Sequence, residues 1–152
     1  MKKIAIIATA LILLLSTGSF AGTADEVTAR IKTEFEKNFA SATSVEWKKT
    51  KGIYVATFKD NGQDLSAAFN DEGELLGASR YISLDQLPLN VTLALRNMTG
   101  GYTIANSVLE LTTDGQTTYC VTGESIKFRT EMKVNSFGDI TVTNKMRKKI
   151  EN

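Results

Sequence analysis

The sequence predicts an α+β fold: a tandem repeat of one helix packed on a four-stranded antiparallel sheet. Three observations carry that expectation. Val27, Ile31, Phe35 and Phe39 recur every four residues, and after Phe39 the pattern changes to alternating and β-branched runs. The same succession of helical stripe and short strands starts again near Ser83. Residues of like character also recur at a nearly constant distance. Ala42, Ser44 and Val45 match Ala105, Ser107 and Val108 at 63 positions, while Tyr54, Phe69, Asn70 and Gly73 match Tyr119, Val134, Asn135 and Gly138 at 65. Two extra residues between Gly115 and Tyr119 account for the change of offset, and at 63 Phe35 falls on Met98 and Phe39 on Tyr102.

In the first half, Thr23-Ala24-Asp25-Glu26 has capping-box spacing and opens the first helix. Val45 and Trp47 then alternate with Glu46 and Lys48. Ile53–Phe58 is β-branched and aromatic, Leu65, Ala67 and Phe69 alternate with Asp64, Ser66 and Ala68, and Leu75–Ile82 closes the set. Lys51-Gly52, Asp60-Asn61-Gly62 and Asn70-Asp71-Glu72-Gly73 separate these runs with residues that accept the positive φ of tight turns.

In the second half, Ser83-Leu84-Asp85-Gln86 repeats the capping-box spacing, and Pro88 falls in the first helical turn, where a missing N–H is harmless. Leu87, Val91, Ala94, Leu95 and Met98 make the stripe, and Gly100-Gly101 ends it. Four strands are expected over 107–111, 117–122, 125–134 and 140–143. The repeats run over about 23–82 and 83–144, forming one domain with a short basic C-terminal tail.

The first 21 residues are expected to be a secretory signal peptide. Met1-Lys2-Lys3 is positive, Ile4–Leu15 is apolar apart from Thr9, and Ser19-x-Ala21 supplies the small residues of a cleavage site. A run of about a dozen apolar residues falls short of the roughly 20 that span a bilayer. Cleavage near Ala21 leaves residues 22–152, a periplasmic or secreted chain with no integral membrane segment and enough length for one real core. Without Lys2 and Lys3, 16 basic residues face 17 acidic ones, a formal charge of −1. Nucleic-acid binding needs a concentrated basic footprint, and only Lys145–Lys149 offers one, which reads as a solvated tail. Cys120 is the only cysteine, so no disulfide forms within the chain.

The combined pattern resembles a known family. It comprises Phe39 and a small-residue link into Val45-Glu46-Trp47, then Gly52-x-Tyr54-x-Ala56-x-Phe58, the Asn70–Leu75 turn, and Leu87-Pro88 opening a second helix. It looks like the secreted bacterial PepSY-like proteins named for a likeness to β-lactamase inhibitor proteins. The resemblance covers nearly all of residues 22–152. It implies a β-lactamase-inhibitor-protein-like fold with a gently concave sheet surface, and an inhibitory or binding role in the periplasm. One departure concerns the acidic turn, which becomes Asn135-Ser136-Phe137-Gly138 in the second half and places Phe137 either exposed or folded back over the core.

Catalysis is not expected. The chain has no histidine, which removes Ser-His and Cys-His nucleophiles and the usual zinc sets. No Ser-x-x-Lys opens a helix, and the acidic residues mostly sit in turns or on a polar helix face. The Asp60–Asp64 and Asn70–Glu74 loops lack the distal glutamate of a calcium loop. No cofactor or metal is implied. The reading is a non-catalytic periplasmic module that binds another protein, with inhibition of a secreted hydrolase as one form of that binding; the alternative is a small apolar or peptidic ligand held between the two sheets. Candidate interface residues are Trp47 (a core position by its face shared with Val45), Ile53 and Val55 facing outward, Lys127 and Arg129 on a charged strand face, and Phe137.

Overall fold

A computed structural model describes residues 27–98 and 101–148. The expected signal peptide, the Thr23–Glu26 cap, Gly100 and the last tail residues lie outside them. Among the described residues the fold is mostly antiparallel β-sheet with two α-helices. The chain divides into two compact units: residues up to Arg80 with Thr112–Asp114, and Tyr81–Leu111 with the residues from Gly115 on.

In the first unit, helix α1 (Ala29–Asn38) starts at Thr28, whose side chain accepts the Ile31 N–H at 3.4 Å. That bond satisfies one of the donors a helix start leaves open. Strands β1 (Thr43–Thr50), β2 (Ile53–Asp60), β3 (Gln63–Phe69) and β4 (Leu75–Ser83) follow in sheet order β1-β2-β3-β4. Ile31 and Phe35 from α1 meet Tyr54, Ala56, Phe58, Ala67 and Phe69 in a buried cluster. Aromatic edges hold it together, with Phe35 at 4.9 Å from Phe58 and 5.3 Å from Trp47 between ring centroids. The four-residue stripe is thus used as expected, although Val27 precedes the helix and Phe39 caps it.

In the second unit a 3₁₀ turn (Leu84–Gln86) comes first. The Ser83 capping box forms there, with the Ser83 N–H donating to Gln86 Oε1 at 2.9 Å. Helix α2 (Leu89–Arg96) then begins with Pro88 as its cap. Strands β5 (Thr103–Ile104), β6 (Ser107–Thr113), β7 (Gln116–Glu124), β8 (Phe128–Asn135) and β9 (Ile140–Arg147) follow, in sheet order β6-β7-β8-β9 with β5 also on β7. Val91 and Leu95 from α2 lie over Val108, Tyr119, Val121, Met132 and Val134.

Several expectations change. The two helices do not use residues 63 apart: Ile31 and Phe35 are buried in one, Val91 and Leu95 in the other, a spacing of 60. Met98 is only partly buried beside the second cluster, because α2 stops at Arg96 and the chain from there to β5 is longer. The expected 125–134 strand begins at Phe128. Ser125 N–H donates to the Phe128 carbonyl at 2.8 Å and Phe128 N–H donates to Ser125 Oγ at 3.1 Å, which closes a two-residue turn at Ile126-Lys127. Val45 does not pair regularly beside Trp47. The register slips between Thr43 and Glu46, where Ser44 has φ 53°, and this bulge leaves Val45 exposed.

The two turns after β3 and β8 carry the same hydrogen bonds. Asn70 Oδ1 accepts from the N–H groups of Glu72 and Glu74 at 3.0 and 2.9 Å, and its amide donates to Glu74 at 2.7 Å. Asn135 accepts from Phe137 and Asp139 at 3.0 and 2.9 Å and donates to Asp139 at 2.8 Å. Each turn glycine sits against its helix. A Cβ on Gly73 would meet Arg30 at 3.4 Å, and one on Gly138 would meet the Asn90 carbonyl oxygen at 3.0 Å.

Candidate functional site

Of the six sequence-derived interface residues, Trp47, Ile53 and Val55 belong to the first unit and Lys127, Arg129 and Phe137 to the second. Trp47 is half-buried against Phe35 and Phe69, so it closes the edge of the first core. Ile53 and Val55 are corrected outright: both are buried, Val55 at 1 % exposure. The expectation assumed one wet face for β2, but Ile53–Phe58 is a nearly unbroken apolar run, the pattern of a strand buried on both faces. Lys127 is exposed in the β7–β8 turn instead of on a strand, Arg129 is exposed at the start of β8, and Phe137 is 82 % exposed in its turn.

Lys127 and Arg129 belong to a constellation at one end of the second sheet. Ile126, 88 % exposed, is the tip of the β7–β8 hairpin. Around it stand Lys127, Arg129 and, from the end of β9, Lys145, Arg147 and Lys148. The pairing brings Arg129 opposite Met146 and Phe128 opposite Arg147. Lys148 N–H donates to the Lys127 carbonyl at 2.9 Å, and its ammonium reaches Glu124 at 2.7 Å. Lys145 lies over the Phe128 ring at 4.4 Å. The Lys148 contact holds the Glu124 carboxyl below its ordinary range. The basic segment read as a solvated tail is therefore, through Lys148, a strand end that clamps the hairpin.

This tip offers an apolar point beside Lys127, Lys145 and the Lys148–Glu124 ion pair, an arrangement suited to contact. Among the described residues no group of three or more His, Cys, Asp or Glu is placed to hold a metal. Nor is any described helix long and apolar enough to cross a membrane. Cys120 is half-buried on β7; burial pushes its thiol pKa up, while Lys133 opposite pulls it the other way. That opposes the thiolate a nucleophile requires.

A second concavity lies beside α2. An open cleft of about 570 Å³ is lined by Leu84, Leu87, Leu95, Met98, Tyr102 and Ile104, with Asp85 and Arg96 among the polar groups. Two of its lining residues, Tyr102 and Ile104, pack on Gly123, where a Cβ would meet each of them at 3.3 Å and Met132 at 3.0 Å.

Sequence reasoning missed Ile126 by placing it on the apolar face of a strand. The signal was present. At the 65-residue offset Ile126 and Lys127 fall on Asn61 and Gly62, which are turn residues in the first half.

No protein-family model matches the chain, and no curated protein matches its sequence. Solved structures match its shape. A DUF2874 family protein from Bacteroides ovatus superimposes with a TM-score of 0.67 at 19% identity, covering 82% of this chain and 89% of that one. A BLIP-like protein from Bacteroides fragilis gives 0.63 at 19%, with the same coverages of 82% and 89%. A protein from Bacteroides eggerthii, provisionally named as periplasmic, gives 0.64 at 18% over 80% of this chain and 88% of that one. At such identities the likeness is one of fold, and the fold is BLIP-like.

Proposed function

We propose that this protein is a non-catalytic periplasmic module that binds another protein through the β7–β8 hairpin tip. The carrying observation is Ile126, a large apolar residue 88 % exposed at the apex of a two-residue turn, with Lys127, Lys145 and Lys148 lining the hollows beside it. A tip of this kind fits an acidic partner surface with an apolar recess: the charges steer the encounter and the isoleucine anchors it. The BLIP-like and periplasmic names of the structural neighbours support the compartment and the binding role. Inhibition of a secreted hydrolase is the form of binding that the BLIP-like name suggests.

The architecture behind the module is a duplication, one helix over four antiparallel strands, made twice within one domain. The matched Asn70 and Asn135 turns support it, as does the 60-residue spacing of the buried helix pairs.

The test is affinity capture from periplasmic extract with the wild-type protein and with an Ile126→Asp/Arg129→Glu variant. One protein retained by the wild type, lost by the variant and released by moderate salt supports the reading. A partner held equally by both proteins rejects the hairpin tip as its site. The cleft beside α2 favours a second reading, a small apolar ligand. Native mass spectrometry of purified protein carrying a bound small molecule, with no protein partner captured, would put that reading first.

A further inference from the structure

We propose that the cleft beside α2 binds a short apolar peptide by its free ends, the carboxylate on Arg96 and the ammonium on Asp85. This deepens the small-ligand reading of the cleft, on which it rests, and is independent of the hairpin tip.

The two cores differ where the cleft opens. In the first unit Phe58 pairs with Leu65 across β2 and β3 and is buried at 2 % exposure. Its ring lies 4.9 Å from Phe35 and 4.8 Å from Phe39, so three aromatics fill the space at the C-terminal end of α1. At the 65-residue offset that pair becomes Gly123 and Thr130, which face each other across β7 and β8. No side chain rises from Gly123, and Tyr102 and Ile104 lie on it instead. They line the cleft together with Leu84, Leu87, Leu95 and Met98. The Tyr102 hydroxyl accepts from Oγ1 of the buried Thr130 at 3.4 Å, which tethers the ring before any ligand arrives. Where the first unit closes its core with rings, the second leaves an apolar recess with a fixed wall.

The rim of that recess is charged. Asp85, which precedes α2, and Arg96, its last residue, both line the cleft, and both are exposed. Among the described residues neither is in an ion pair, and Asp85 accepts from the Ser83 hydroxyl. A wholly apolar ligand covering them would strip water from two charges and return nothing. A zwitterion compensates both: a carboxylate fits the guanidinium fork, and an ammonium fits the aspartate. An amino acid carries its two charges on one carbon. A peptide carries them at its two ends with side chains between, which suits charges placed before and at the end of a helix. The volume of about 570 Å³ falls within the roughly 300–1,000 Å³ of small-ligand sites.

The experiment is isothermal titration calorimetry of the purified protein with the peptide Leu-Ala-Leu in free, N-acetylated, C-amidated and doubly blocked forms. The free peptide should bind, and each blocking group should weaken binding about tenfold. With Arg96→Ala the amidated peptide should bind as well as the free one. With Asp85→Asn the acetylated peptide should do so. Both side chains are exposed, so circular dichroism should show both variants folded. Blocked peptides that bind the wild type as well as the free one overturn the proposal and leave the cleft a merely apolar site. End selectivity that survives the substitutions also overturns it. Silence from every form at about 5 mM removes the cleft itself as a peptide site. Ile126→Asp/Arg129→Glu should bind the free peptide unchanged, so failure here and failure of the hairpin-tip reading are separable.

Discussion

Replacing Phe69 by alanine tests the first core most directly. Phe69 is fully buried in β3, opposite Tyr54 and Leu75, with its ring 6.2 Å from Phe35 and 6.0 Å from Trp47. Losing the benzyl group forfeits roughly 2–3 kcal/mol of transfer free energy. The void is slow to close, because Phe35 is held edge-on by Phe58 and Trp47. At about 24 cal/mol per Å³, a residual hole of roughly 70 Å³ adds about 1.7 kcal/mol, for a total of about 4 kcal/mol. Val134→Ala, in the second core, removes two methyl-sized groups and should cost about 2 kcal/mol. Phe137→Ala, made on the 82 % exposed ring, should stay within about 0.5 kcal/mol in dilute solution. Urea unfolding followed by far-UV circular dichroism measures all three as midpoint shifts at constant slope. A cost below about 1 kcal/mol for Phe69→Ala, or a Phe137→Ala cost equal to it, would refute the assignment of core and surface.

Other expectations follow from local geometry. Asn70→Ala and Asn135→Ala each remove one amide that accepts two backbone N–H groups and donates to a carboxylate. Both should destabilise by about 1–2 kcal/mol and by similar amounts in urea titrations; a large disparity would contradict the equivalence of the two turns. Gly138→Ala should cost about 1 kcal/mol or more beyond Gly62→Ala. Both sites have positive φ, but only Gly138 faces a backbone oxygen at 3.0 Å. Cys120 should alkylate more slowly at pH 8 than a free thiol and catch up only at higher pH, since burial raises its pKa; iodoacetamide labelling read by mass spectrometry checks this. The depressed Glu124 pKa means that its contact with Lys148 is present above the ordinary carboxylate range and lost as pH falls through the folded value. Lys148→Ala should move the NMR titration midpoint of Glu124 up towards the ordinary value.

Most elements were legible because short-range rules govern them. The Ile31–Phe35 stripe, the Asn-Gly and Asp-Gly turns and the Asn70 and Asn135 loops each depend on a few neighbouring residues. The misreadings arose where one apolar residue suits two environments. Ile126 reads as a strand residue until the Ser125–Phe128 bonds close the turn beneath it. Val55 looks outward-facing by alternation, yet it is buried, because alternation assigns a side and not its exposure. The helix spacing of 60 was hidden because the segment after α2 differs in length from the one after α1, and a constant offset cannot register that.

By itself the sequence determined the kinds and order of the elements, the turns between them and the absence of histidine-based chemistry, since those follow from local propensity and composition. Only the tertiary structure decided which apolar side chains were left in solvent. Leu89, Leu93, Ile126 and Phe137 are as apolar as any core residue. Whether such a side chain faces water depends on where the rest of the chain stops covering it, a property of long-range packing that no window of sequence contains.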